Sequence, residues 1–582
     1  MKLNGKTWII GACLLMASPK AIPLFSQHMY LELNLNNQAV RSMVRSIRHR
    51  SSLELLRVIE RAGSDNRIDG IILNISSYHA GREAIWELRN ALEKFKSKGK
   101  TICAFIGNAD LDMYSLATVA DKIIMDELGI LTMLGYAIGR GYVQHSLEKL
   151  GIGVRELRYF EFKTSAETFT RDSLSDADRI QYGELLDDIM GITRETIIKA
   201  RQMTAEELDS IINNEFMFSA GSALARGLVD RTGRKDAVIE AIKEISGSGN
   251  AANFAVFGDQ KSSITGSKYM YRPLRAGNFF YRPPEIAVIY ASGVTDMEQG
   301  IAAWTLASTI REVSERRRVK AIVLRISSSG GSAEAADYVA EAIKAARQQV
   351  PVVVSMGEVA ASGGYWASMN ASHIVASPVT ITGSIGVIGS WFYDNGLNDK
   401  LGLTVDTMQR GNHADMMTGM ILPRRDLRPE EEARYREYIL AMYADFTSRV
   451  AVSRSMDRER AESIAGGRIY SGLGALNAGL IDSNGGLDDA IRIARNLAGI
   501  PDNQRVAYSE YPKPKFFDKM FERMAATKAV AMNSAVGRNS VLFAANWIFP
   551  VQILDDLHYR IAHNGHVMPL LPFDQSWLLM YP

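Results

Sequence analysis

Ile71-Ile72-Leu73-Asn74-Ile75-Ser76-Ser77 and Ile322-Val323-Leu324-Arg325-Ile326-Ser327-Ser328 are one phrase written twice, at an offset of 322 − 71 = 251 positions. Each is a run of β-branched and apolar residues that ends in serines, the composition of a strand covered on both faces. The offset holds outward from there. Leu55, Ile59 and Ala62 match Leu306, Ile310 and Val313. Their i, i+4, i+7 spacing predicts a helix with one apolar stripe ahead of each strand. Tyr114 matches Tyr365 and Gly135 matches Gly386. One residue later in register, Phe218-Ser219 matches Tyr470-Ser471, while Gly227-Leu228 and Asp230 match Gly479-Leu480 and Asp482. Self-similarity of this length means two copies of a domain of about 220 residues.

Each copy opens with an apolar strand, expected over Met29–Leu35 and Ile286–Ala291. A helix, the repeated strand, a second helix and a third strand follow, the last at Thr101–Ile106 and Val352–Met356. Alternation of strand and helix predicts parallel βαβ units, an α/β fold duplicated in tandem. The copies are expected at 28–245 and 285–501. Residues 246–284, with Gly, Ser, Asn, Pro and scattered aromatics, read as a linker that partly packs. Residues 502–582 read as a C-terminal extension. At the other end, Lys2 and Lys6 precede the apolar run Trp8–Ala17, which Ser18-Pro19-Lys20 interrupts. A spanning helix needs about 20 apolar residues. Residues 1–27 are therefore expected to be a secretory signal or signal anchor. Val541–Leu554, which contains Pro550, reads as a packed core helix.

Composition narrows the classes. The 582 residues are 47% hydrophobic and 23% charged, which excludes whole-chain disorder, collagen and coiled coil. Lys plus Arg is 67 against 65 Asp plus Glu, a net charge of +2, so nothing draws the whole chain to nucleic acid. Two cysteines, Cys13 and Cys103, make no disulfide framework. No His-Glu-x-x-His or Cys/His pattern points to a metal. Gly383, Gly386 and Gly389 are not followed by the Lys-Ser/Thr of a phosphate loop.

Chemistry concentrates in the second copy. Ala361-Ser362-Gly363-Gly364-Tyr365-Trp366 follows the strand ending near Met356 and Gly357. A serine between strand and helix, flanked by small residues, presents its hydroxyl beside free N–H groups. Upstream, Ser329-Gly330-Gly331-Ser332 would let a backbone N–H approach a ligand. Ser362 needs a base. His373 and His413 lie in the same copy, and a buried lysine is the other known activator of a serine. The repeat bears on the choice. Leu111 occupies the position of Ser362 in the first copy, and Ala414 occupies in the second copy the position of Lys163. Each copy lacks what the other keeps.

The second copy resembles the signal peptide peptidase A family of membrane-bound serine proteases, of the long, duplicated bacterial type. The residues that carry this are Leu324 to Ser332, Ala360 to Trp366 and Thr382-Gly383-Ser384-Ile385-Gly386-Val387, together with Phe162 to Phe169 in the first copy. The resemblance implies two tandem crotonase/ClpP-like domains and a Ser/Lys dyad. In it Ser362 is the nucleophile, Lys163 the general base, Ser384 the residue that orients the lysine, and Gly331 and Gly363 the oxyanion-hole donors. It further implies released signal peptides and similar unfolded apolar segments as substrates, and no cofactor. The expected setting is a ring-like homotetramer at the bacterial inner membrane, with the bulk of the chain on the periplasmic side. Where the family usually carries Asn or Asp, Ser and Pro before the paired glycines, this chain has Ser327, Ser328 and Ser329. Such a lysine must stay neutral near pH 7, so Phe160, Phe162 and Phe169 are expected to exclude water, with Glu161 and Glu167 pointing away. Two other readings stand beside this one: a scaffold or peptide-binding descendant without activity, and an acyl-CoA enzyme of the crotonase type.

Overall fold

The structure is a computed structural model that describes residues 29–35, 51–76, 80–246, 253–257 and 282–513, with 560, 561, 564, 567 and 568. The segments 1–27 and 541–554, and Cys13, lie outside the described residues. Cys103 is buried and unbridged.

Two mainly parallel sheets carry the two copies. In the first, the strands run Arg231–Thr232, Lys122–Met125, Thr101–Ile106, Ile68–Asn74, Met29–Asn34, Asn253–Phe257 from edge to edge. In the second, Ala507–Tyr511, Glu285–Ser292, Val319–Ser328 and Val352–Ala361 lie side by side in parallel. The edge strands Asn253–Phe257 and Ala507–Tyr511 thus occupy the spans read from sequence as linker and extension, and both continue the repeat. The expected helix stripes are buried: Leu55, Ile59 and Ala62 in one copy, Leu306, Ile310 and Val313 in the other.

The pairs read from the repeat have structural jobs. Tyr114 donates its hydroxyl to Leu228 O at 2.7 Å, and Tyr365 to Leu480 O at 2.9 Å. Asp230 accepts from Ile123 N at 2.8 Å, and Asp482 from Ile374 N at 2.7 Å. Each copy closes its sheet with the same buried tyrosine and the same aspartate, because an unpaired backbone group there would be costly.

One strand departs from the expectation. The third strand of the second copy does not stop at Met356 but runs through Gly357 to Ala361. Beyond a shift of register between Ile326 and Ser328 it gains a new neighbour: Val359, Ala360 and Ala361 pair with Ile381, Thr382 and Gly383. The extra residues carry the chain directly to Ser362.

The copies are fused. Ile286, Val288, Val323 and Val353 of the second sheet belong to the same apolar core as the first copy. A further sheet crosses between them: Ile152–Leu157 of the first copy pairs antiparallel with Ile388–Asp394 of the second, and Val567–Met568 adds to its other side. Arg325 is buried between Glu83 and Glu87 of the first copy's helix Arg82–Lys96, and donates to Glu87 Oε1 at 2.8 Å and to Glu83. Among the described residues, no helix is long and apolar enough to cross a membrane.

Candidate active site

Ser362 sits where strand turns into the helix Gly363–Ser368, with φ 57° and ψ −114°. A residue with a Cβ resists this region by about 1–3 kcal/mol, so the surroundings must impose it. They do so from both sides: Ser362 N donates to Gly383 O at 2.8 Å, and Trp366 N donates to Ser362 O at 2.9 Å. Gly364 lets the turn pass, since a Cβ there would stand 2.6 Å from Ser328 O. The effect is to aim the Ser362 hydroxyl away from its own strand and helix.

Lys163 arrives from the other copy. It lies in the turn between the strand Ile152–Leu157 and the short helix Glu167–Thr170. Loops of the second copy enclose that turn. Phe162 N donates to Gly466 O at 3.1 Å. A Cβ at Gly467 would stand 2.5 Å from Lys163 N, and one at Gly386 would stand 3.2 Å from its Cδ. The lysine Nζ lies 2.6 Å from Ser362 Oγ, 2.9 Å from Ser384 Oγ and 2.9 Å from Ser384 O. Lys163, Ser362 and Ser384 are each 0% exposed. Burial, and after it the positive charge of Arg560, holds the lysine pKa well below its ordinary value.

The dry surroundings differ in part from those expected. Phe169 is buried edge-on to Phe392, with ring centres 5.5 Å apart. Phe160 stacks on Tyr443 and Phe162 lies beneath the Arg468 guanidinium, both only partly buried. Much of the direct cover on the amine's stem is therefore glycine backbone from the second copy, which can come closer than a ring. Glu161 is exposed. Glu167 is buried and turned to Arg158, 2.8 Å away.

Behind the lysine lies a polar network that its sequence neighbours did not announce. Asp178 accepts from Thr164 Oγ1 at 2.6 Å, Arg140 at 2.5 Å and Gln181 at 2.9 Å. Arg140 also donates to Thr164 O at 2.7 Å. These groups fix the Lys163-Thr164 backbone from the first copy's side. Asp178 and Gln181 stand on the inward face of the helix Asp176–Arg201, where composition cannot separate them from a solvated face.

Gly331 and Gly363 come together beside Ser362. The Thr295–Gly331 bridge uses Gly330 O and Ser332 N, which leaves the Gly331 N–H outside the ladder. Gly363 opens its helix, where an N–H has no intrahelical acceptor. A Cβ on Gly363 would lie 3.2 Å from Gly331 N, so the two donors are neighbours. The loop that lacks the family's proline is pinned by hydroxyls instead. Ser328 Oγ accepts from Gly330 N at 3.3 Å and lies 3.0 Å from Thr295 Oγ1. Thr295 went unnoticed in the sequence because nothing there shows that its loop folds under the glycines.

The two histidines are engaged elsewhere. His373 Nε2 lies 2.9 Å from Ser483 Oγ, and His413 Nδ1 lies 2.9 Å from Glu431 Oε1. Leu111, the counterpart of Ser362, is buried as the first residue of the helix Leu111–Ala117. No group of three or more possible metal ligands occurs among the described residues.

The model of peptidase family S49 matches residues 94–248 and 344–501, one match in each copy. This chain belongs to peptidase family S49. The chloroplastic serine protease SPPA of Arabidopsis thaliana is 31% identical over 478 residues, 80% of this chain and 69% of that protein. Protease 4 of Salmonella typhi is 29% identical over 502 residues, 84% of this chain and 78% of that one. A putative signal peptide peptidase SppA of Enterococcus faecium is 34% identical over 200 residues, 34% of this chain and 57% of its own. Among solved structures, a ClpP1 variant from Listeria monocytogenes covers 35% of this chain and 94% of its own, at 16% identity and a TM-score of 0.24, too low to argue from. An S49 chain with the family match in both copies is a serine peptidase acting on peptide substrates, built on two α/β domains.

Proposed function

We propose that this S49 peptidase is an endopeptidase with a Ser/Lys dyad divided between its two copies, Ser362 as nucleophile and Lys163 as general base. The observation that carries the reading is the 2.6 Å approach of Nζ to Oγ in a site with no exposure. A neutral amine has two N–H groups and one lone pair. It can donate to Ser384 O and Ser384 Oγ and still accept the proton of Ser362, so all three contacts suit the neutral form. Ser384 orients the base.

Ser362 Oγ attacks the scissile carbonyl as its proton passes to Lys163 Nζ. The carbonyl oxygen takes the negative charge between the N–H groups of Gly331 and Gly363. Lys163 then returns the proton to the departing amine, which leaves an acyl-enzyme. Water then gives a proton to Lys163 Nζ as it attacks the ester, and Lys163 returns that proton to Ser362 Oγ as the carboxylic acid product leaves.

The substrate class in this reading is signal peptides released in the membrane and similar unfolded apolar segments. The relative in Enterococcus faecium, a putative signal peptide peptidase, supports it. The apolar N-terminal run supports a place at the bacterial inner membrane with the bulk of the chain on the periplasmic side. A homotetramer enclosing its sites follows from the family resemblance and fits a site that is closed to folded proteins.

A fluorophosphonate probe tests the reading. The dyad requires labelling of Ser362 that Lys163→Ala abolishes. A chain without activity would give no labelling, and an acyl-CoA enzyme would be blocked by CoA esters.

A further inference from the structure

Arg560 stands far from both motifs in the chain, yet it is buried against the lysine turn. Its Nη2 donates to Ser165 O at 3.2 Å, and its guanidinium lies over the Phe169 ring, 5.2 Å from the centre. Nearby residues fasten to the opposite copy. The Asn564 amide donates to Phe392 O and accepts from Phe392 N, both at 2.8 Å. Met568 pairs with Ile388 in the crossing sheet. Phe392 and Phe169 are themselves edge to face. Arg560 and Asn564 thus tie the turn bearing Lys163 to the strand that follows Ser384.

We propose that Arg560, with Asn564 four residues on, is a positioning residue for the catalytic lysine: together they fix the Lys163–Phe169 turn against the serine-bearing copy, and Arg560 sets a permanent positive charge against that turn. This rests on the dyad reading above. The other charged groups packed around the turn carry both signs. Arg158 lies 3.4 Å from Glu156 and 2.8 Å from Glu167, Arg140 lies 2.5 Å from Asp178, and Arg468 of the second copy is paired with Glu184. Glu156 also feels the Arg560 charge. The charge that bears on Lys163 is Arg560, and it opposes the ammonium form. A fixed cation disfavours a second one beside it, so the lysine stays a base at lower pH than burial alone would allow.

The test is the pH dependence of the second-order rate of fluorophosphonate labelling at Ser362, in the full-length protein. Arg560→Met is expected to move the rising limb to higher pH and to slow labelling at pH 7 about ten-fold, the scale of one neighbouring charge. Arg560→Lys keeps the charge and is expected to restore the limb. Asn564→Ala, which only loosens the anchor, is expected to shift it the same way as Arg560→Met, by less. If Arg560→Met does not fold, the pair Arg560→Lys and Asn564→Ala carries the test. A wild-type limb and rate in either Arg560→Met or Asn564→Ala overturns the proposal, as does an Arg560→Lys enzyme shifted as far as Arg560→Met. Failure of the dyad reading looks different: the wild-type chain itself would not label, or Lys163→Ala would label normally.

Discussion

Replacing Ser384 by alanine isolates what orientation of the base contributes. The substitution removes the Oγ that lies 2.9 Å from Lys163 Nζ and leaves the carbonyl contact at 2.9 Å, which belongs to the backbone. The site is sealed, so no bulk water replaces the lost partner, and one amine N–H is left unsatisfied. That costs about 1–3 kcal/mol, or roughly 5- to 150-fold in rate if it falls on the transition state. Losing the base altogether, as in Lys163→Ala, should cost about 10²- to 10⁴-fold or more. The rate of Ser362 labelling in Ser384→Ala should therefore fall between wild type and Lys163→Ala. With a peptide substrate the loss should appear in kcat and leave KM nearly unchanged, because Ser384 faces the amine. The pH profile adds a sign. The ammonium form has one more N–H to place than the neutral amine, so losing an acceptor disfavours the ammonium form more. The rising limb of the rate should stay where it is or move to lower pH. A wild-type rate, or a limb moved to higher pH, would refute this account of Ser384.

Three other outcomes are expected. Lys163→Met should lose labelling with no fall in melting temperature, since the pocket holds the side chain neutral and accepts an apolar one of similar length; differential scanning calorimetry reads this. Glu87, buried beside Glu83 and Arg325, has its carboxyl pushed up to about 8, chiefly by desolvation. A folded pKa above the unfolded value means stability that is present below about pH 4.5 and is lost as pH rises to 8, so Glu87→Gln should flatten the decline of urea midpoint between about pH 5 and 8. Gly364→Ala should destabilise by about 1–3 kcal/mol and abolish labelling, because its Cβ would press on Ser328 O at 2.6 Å with backbone on both sides.

The sequence made the duplication legible because the repeated strand, the two tyrosines and the two aspartates answer local demands that recur in each copy. It pointed to Lys163 and Ser362 through the family resemblance, with the repeat in support: Leu111 and Ala414 stand at their counterpart positions. Geometry at long range was not legible. Nothing in Gly357 to Ala361 announces that the strand continues, since its new partner at Ile381–Gly383 lies beyond an intervening helix and strand. Arg140 and Asp178 read as ordinary charged residues until the fold turns them inward. Arg560 is separated from Ser165 by 395 positions, and no periodicity spans that distance. The loop before Gly330 shows the limit from the other side. The proline that the family usually carries there is absent from the sequence, and the Ser328 and Thr295 hydroxyls pin the loop by hydrogen bonding.

The 199 positions between Lys163 and Ser362 have a consequence for biogenesis. While the chain is being synthesised, its first half emerges with an amine and no alcohol to activate. On the proposed dyad, proteolytic competence waits until the second half has been translated and docked. On that proposal, the nascent polypeptide cannot cut itself or its neighbours before it is finished.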